Sequence, residues 1–193
     1  MYESTLSIML ILMFLLFILV TLYVALKTIN SAKGIGDVSV VQTSLNRIND
    51  AIVSTFTRVT LSTSIKESST TITINVIPGE YFITCNDDEI LLAFVPSTSD
   101  IQPITIKFPL DKEYKVDLQV INEKNNKIEP RTMIYKVRVN GMELNKICNS
   151  KNVISLGKFT TNAQATVRII IQRIDPLSSS EYGYFDVNIE IVK

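Results

Sequence analysis

Residues 6–26 read LSIMLILMFLLFILVTLYVAL, with no charged side chain in the run. A helix of that length reaches about 31 Å, which matches a hydrocarbon core of roughly 30 Å, so one bilayer crossing fits. A cleaved secretory signal competes with a retained anchor, but the apolar block Ile8 to Val20 is long for a signal core and no Lys or Arg precedes it. A buried helix of a soluble protein would need partners around its whole circumference. The retained anchor is the reading adopted, with Ile8, Ile11, Phe14, Leu15, Phe17, Ile18 and Leu22 as its lipid-facing or self-packing residues.

Beyond the run, the helical pattern is expected to continue to about Ser31 and to break at Gly34 and Gly36, since each glycine costs about 1 kcal/mol relative to alanine in a helix interior. These two glycines are the candidate hinge. Asp37 can cap a second helix, in which Val38, Val41, Leu45, Ile48, Ile52, Phe56 and Val59 recur at spacings of three and four. This amphipathic stalk either packs its seam on the chain's own β-region or shares it with neighbouring subunits. Three heptads are the lower limit for a coiled coil, and charge pairs flanking this seam are few.

From Ser68 the period changes to two. Ile72, Ile74 and Val76 alternate with Thr71, Thr73 and Asn75 before a Pro78-Gly79 turn, and Asn86-Asp87-Asp88 turns the chain again. The segment Ile90 to Val95 is continuously apolar, as in a strand buried on both sides. Further alternating runs start near Ile104, Tyr114, Met133, Ala165 and Phe185, with hairpin turns at Glu123 to Lys127 and at Asn140-Gly141. In the last run Asp186, Asn188 and Glu190 form the outward set, and Ser178 to Ser180 form a loop before it. Roughly eight to ten short strands without helical pattern between them predict an all-β antiparallel sandwich of immunoglobulin-like type, with a closed barrel second. The expected organisation is therefore an apolar helix over 1–33, an amphipathic helical stalk over 34–65 and a β-sandwich head over 66–193. The head, at about 125 residues, is one ordinary domain.

Composition excludes several functions. Nineteen basic and nineteen acidic residues leave no net charge and no basic run that would track phosphates, so no nucleic-acid partner is expected. There is no histidine, which removes Ser-His and Cys-His nucleophile pairs and His-ligated zinc. Thr84-Cys85 superficially resembles the active strand of sortase-type transpeptidases, whose histidine has no counterpart here. No serine stands in the Ser-Met-x-Pro context of the Ser-Lys signal peptidases. Asp87, Asp88 and Glu89 form a carboxylate-rich turn that reads as a solvated tip rather than a Ca²⁺ site. Gly34-Ile35-Gly36 lies between helices and is no phosphate loop. Tyr182, Tyr184 and Phe185 are expected to pack at the sandwich end or to form an aromatic contact surface. Neither enzymatic activity nor a cofactor or metal is expected. Cys85 and Cys148 either pair in an oxidising compartment or remain isolated thiols.

The order of parts resembles archaeal type IV pilins and archaellins, with archaellum accessory subunits close behind. The resemblance is carried by the apolar block Ile8 to Val20, the glycines at 34 and 36, the stripe from Val38 to Val59, and the Thr-rich first strand running into Pro78-Gly79-Glu80-Tyr81. It implies a non-enzymatic subunit of a cell-surface filament whose apolar helices bundle as the core and whose β-heads form the surface. The implied partners are further copies in a helical homo-oligomer or related pilin subunits, and the lipid bilayer before assembly. Lys27 and Lys33 follow the span with only Glu3 before it, which by the positive-inside rule taken literally would put the β-region in the cytoplasm; the other reading, which the resemblance implies, is a basic leader once ahead of Met1. The alternative is a permanently membrane-anchored β-sandwich protein, an accessory or stator-like subunit or a surface receptor. The head is extracellular in either case.

Overall fold

A computed structural model describes residues 2–61, 65–98, 101–122, 126–150, 152–176 and 182–192. Two compact units divide at Ser39/Val40. The predicted Glu123 to Asn125 tip and the Ser178 to Ser180 loop lie outside the described residues.

One helix, α1 (Tyr2–Leu61), runs through both glycines. The expected break at Gly34 and Gly36 is therefore corrected. Two glycines cost a helix about 2 kcal/mol in total, which neighbouring hydrogen-bonded turns absorb when no proline removes a donor. The expected boundary of the stalk changes as well. The unit Val40–Lys193 takes in the C-terminal part of α1 together with all strands, so residues 40–61 form part of the head.

Within that unit Val41, Leu45, Ile48, Ile52 and Val59 are completely buried and Phe56 nearly so, whereas Val38, in the other unit, is 37% exposed. The stripe joins the core of the strands, and burying each such aliphatic side chain contributes about 1.5–3 kcal/mol. Gln42, Asn46 and Arg47 stay on the exposed side.

The strands are β1 (Glu67–Val76), β2 (Gly79–Asn86), β3 (Glu89–Pro96), β4 (Ile104–Lys107), β5 (Glu113–Asn122), β6 (Lys127–Val139), β7 (Met142–Glu143), β8 (Ile154–Phe159), β9 (Ala163–Ile174) and β10 (Tyr182–Val192). They form two sheets in a sandwich-like arrangement. The larger has the order β1-β9-β10-β6-β5 with β7 paired to β6, and the smaller has the order β4-β3-β2-β8. β10 pairs with β6 in parallel, so the sheets are not wholly antiparallel as expected. More than forty residues separate these strands, ample for the crossover that parallel neighbours require.

Alternation explains the inner face of the larger sheet. Phe185, Val187, Ile189 and Ile191 of β10 are buried, as are Val167, Ile169 and Ile171 of β9 and Tyr135, Val137 and Val139 of β6. Asn140 and Gly141 take positive φ values of 48° and 79°, the requirement of a tight hairpin turn from β6 to β7. The Asn140 amide then pairs with β10, donating to the Ile189 carbonyl at 3.0 Å and accepting from its N–H at 2.8 Å. β3 is not covered on both sides throughout, since Leu91 is half-buried and Val95 is 41% exposed.

A short helix, α2 (Leu144–Ser150), was not expected. It buries only Leu144 and Ile147, one turn that is too brief to register as a helical period.

Candidate functional site

Among the described residues, the longest run of exposed large hydrophobic side chains is in the apolar part of α1. Ile11, Phe14, Leu15, Phe17, Ile18 and Leu22 are between 39% and 68% exposed, and no side chain of Ile11–Thr28 is buried. The Ile8 side chain lies outside the described ones. By length and composition this segment can cross a membrane. Its two threonines turn their hydroxyls inward along the helix, Thr21 donating to the Phe17 carbonyl at 2.7 Å and Thr28 to that of Val24 at 2.8 Å. Both hydroxyl protons are thereby satisfied without water, the condition an apolar surrounding imposes. Exposed methyl, methylene and ring groups line all sides of the segment, so whatever covers it must surround it.

In the head, Cys85 at the end of β2 and Cys148 of α2 form a disulfide with Cα atoms 4.9 Å apart. Of the two sequence alternatives, isolated thiols are thus set aside, and Cys85 has no free thiolate for nucleophilic chemistry. The bond anchors α2 to the smaller sheet. Disulfides form and persist in oxidising compartments, which bears on where this head is folded.

A second polar feature binds the C-terminal end of α1. Arg173 is 4% exposed, donates to the Val59 carbonyl at 3.5 Å and pairs with Asp175 at 3.1 Å. Tyr135 donates its hydroxyl to the same carboxylate at 2.9 Å, and Lys66 approaches it at 3.2 Å. Burial alone would raise the Asp175 pKa, but the hydrogen bonds from Tyr135 and Lys66 and the positive charges of Arg173 and Lys66 outweigh it and hold it below the ordinary value. Burial, reinforced by the adjacent carboxylate, pushes the Tyr135 phenol up to about 12. A cation at a helix C-terminus complements the carbonyl end of the helix dipole. This cluster fastens the helix to β9 and β6; its chemistry is positional.

The carboxylate-rich turn carries ion pairs. Asp88 meets Lys112 at 3.3 Å and Glu89 meets Lys107 at 3.6 Å. Among the described residues no group of three or more His, Cys, Asp or Glu side chains could hold a metal ion. The aromatic residues of β10 divide between two faces. Phe185 is buried against Phe56 and Tyr135, while Tyr184 lies under the Arg138 guanidinium at 4.0 Å and Tyr182 under the Lys136 ammonium at 4.3 Å. Arg138 also grips Asp186 through two hydrogen bonds of 2.6 and 2.8 Å.

Gly34 and Gly36 lie in the N-terminal unit, where an added Cβ would meet nothing within 4 Å. No protein-family model, no curated protein and no solved structure matches this chain.

Proposed function

We infer that this chain is a non-enzymatic structural subunit of a cell-surface filament of the type IV pilus kind, with the apolar helix in the filament core and the head at its surface. The observation that carries the reading is the division of α1 between two chemistries. Residues 11–26 expose apolar side chains on every side, while residues 41–59 spend a single stripe on the core of a disulfide-closed β-head. An all-round apolar helix is covered either by lipid or by copies of itself, and a bundle of copies outside the membrane gains about 25 cal/mol for each Å² removed from water. The archaeal affinity, an adhesive role for the filament and the immunoglobulin-like type of the sandwich belong to the same proposal.

A permanent membrane anchor is the second reading. The inward hydrogen bonds of Thr21 and Thr28 suit a helix that stays in lipid as well as one in a bundle. The Ile11–Leu26 segment also has little of the small-residue face used for tight pairing in bilayers, Thr21 and Ala25 being its two small residues.

Shearing cells, collecting extracellular filaments and measuring the intact mass of their subunit tests the first reading against the second. This chain in ordered filaments supports the subunit; recovery only from the membrane fraction overturns it in favour of the anchor.

A further inference from the structure

The four margins of the two sheets are not equivalent. In β4 the outward carbonyl of Lys107 accepts from Asn49 Nδ2 of α1 at 2.8 Å. In β8 the register shifts opposite Tyr81/Phe82, and such a bulge spoils an edge for pairing. In β1 the even-numbered residues bond to β9, as the Arg173 N–H to Lys66 carbonyl bond of 2.7 Å shows, so the odd ones face the margin. There α1 covers the C-terminal half: Ser44 donates to the Asn75 carbonyl and Arg47 to that of Thr73 at 3.0 Å. Among the described residues nothing bonds to the outward backbone groups of Glu67, Ser69 and Thr71. In β5 the Val137 N–H to Lys112 carbonyl bond of 3.0 Å sets the same parity, so Glu113, Lys115, Asp117 and Gln119 turn their backbone groups outward. Among the described residues nothing caps them, and no proline or bulge interrupts the edge.

The two open stretches lie at opposite margins of one sheet. Following the pairings across β1-β9-β10-β6-β5, two antiparallel steps, one parallel step and one antiparallel step leave β1 and β5 running in opposite directions. A second copy carried sideways along the sheet therefore presents its β1 antiparallel to β5 without being turned over. Pairing odd residues with odd residues permits several registers, and the one that brings opposite charges together sets Lys115 opposite Glu67 and Glu113 opposite Ser69. Both charged side chains are exposed, and neither takes part in an ion pair among the described residues.

We propose that the open edge of β5 receives the N-terminal half of β1 from a second copy of this chain, joining heads into one continuous sheet with Lys115 paired to Glu67 of its neighbour. The contact is heterologous: each copy gives one edge and receives another, so it extends as a chain and does not stop at a dimer. Main-chain hydrogen bonds supply the attraction, and the opposite charges fix the register. The proposal rests on the self-assembling reading for its partner, and on nothing in the apolar helix.

Zero-length carbodiimide cross-linking of the full chain in its native membranes and in sheared material, followed by peptide mass mapping, tests it. Within one copy the two margins lie four strand spacings apart, about 19 Å along the sheet, so a Lys115–Glu67 amide must join two copies. The expected result is that amide within a ladder of multimers. It should vanish in Glu113→Pro and in Ser69→Pro, each of which removes an outward N–H that no strand of its own copy uses, with the melting temperature of the head retained. Multimers linked only through other residues, a Lys115 product with a different protein, or a Lys115–Glu67 amide that survives both proline variants overturns the strand pairing. Filaments lacking the amide refute the pairing and leave the filament reading intact. The amide in membranes without filaments refutes the filament and leaves the pairing.

Discussion

Replacing both Cys85 and Cys148 by serine should cost the head about 4 kcal/mol. The bond closes a sequence separation of 63 residues. Loop-closure entropy removed from the unfolded chain amounts to about 14 cal/mol/K for that separation, or about 4.3 kcal/mol at 25 °C. Unfolding entropy of about 2.1 cal/mol/K per residue gives roughly 0.3 kcal/mol/K for a unit the size of Val40–Lys193, so the melting temperature should fall by about 13 °C. Near-ultraviolet circular dichroism of the full chain in detergent reads the transition, and reduction of the unaltered chain should reproduce the variant. A fall of less than about 3 °C would refute the argument, because it would mean that the link between β2 and α2 constrains the unfolded chain little. Non-reducing peptide mapping checks the bond independently.

Three further outcomes follow from the head. Phe56→Ala should lose about 3–5 kcal/mol in denaturant unfolding, since the ring packs against Tyr114 and Phe185 at centroid distances of 4.8 and 5.0 Å and leaves a cavity between helix and sheet. Gly183→Ala should destabilise by about 1–3 kcal/mol in the same assay, because its Cβ would come within 2.5 Å of the Tyr135 ring and 2.9 Å of the Ile174 carbonyl. Asp175 has a folded pKa below its unfolded one, so the unfolded chain binds more protons between the two values and stability rises with pH there. Its contribution is complete above the unfolded carboxylate pKa of about 3.9 and is lost as pH falls through the folded value. Asp175→Asn should flatten the acid limb of a stability-against-pH curve; an unchanged limb would remove Asp175 as its source.

Periodicity made the repetitive parts legible. The alternation of Phe185, Val187, Ile189 and Ile191 with polar residues states both that β10 is a strand and which face is inside. The stripe from Val41 to Val59 does the same for the helix. What periodicity cannot carry is partner choice. Parallel pairing of β6 with β10 depends on how strands separated by β7, α2, β8 and β9 come together, and α2 is too short to show a period. Cysteine count permits the bond between Cys85 and Cys148 but says nothing of the approach of β2 to α2. One part of the polar cluster did leave a signal. Arg173 stands in phase with Ala165, Val167, Ile169 and Ile171, and a charge on an inward-facing register needs a buried partner. Its partners, Val59 and Asp175 with Tyr135 and Lys66 around them, come from four separate segments. Arg47 and Asn49 read as the polar side of an amphipathic helix, whereas their hydrogen bonds, with that of the buried Ser44, end on the margins of β1 and β4.

The stretch of α1 between these two chemistries decides whether the glycines bend or are merely accommodated. Nothing lies within 4 Å of a Cβ built on Gly34 or Gly36, so neither is required by close packing, and both sit in helical conformation. Glycine is then the weaker residue at both sites, and Gly34→Ala with Gly36→Ala should stabilise the helix by about 1 kcal/mol at each position. Because the head's core begins at Val41, its melting temperature should not change. Amide hydrogen exchange over 30–40 should slow in the doubly substituted chain. Unchanged exchange, or a destabilised head, would show that the glycines serve a conformation other than the continuous helix.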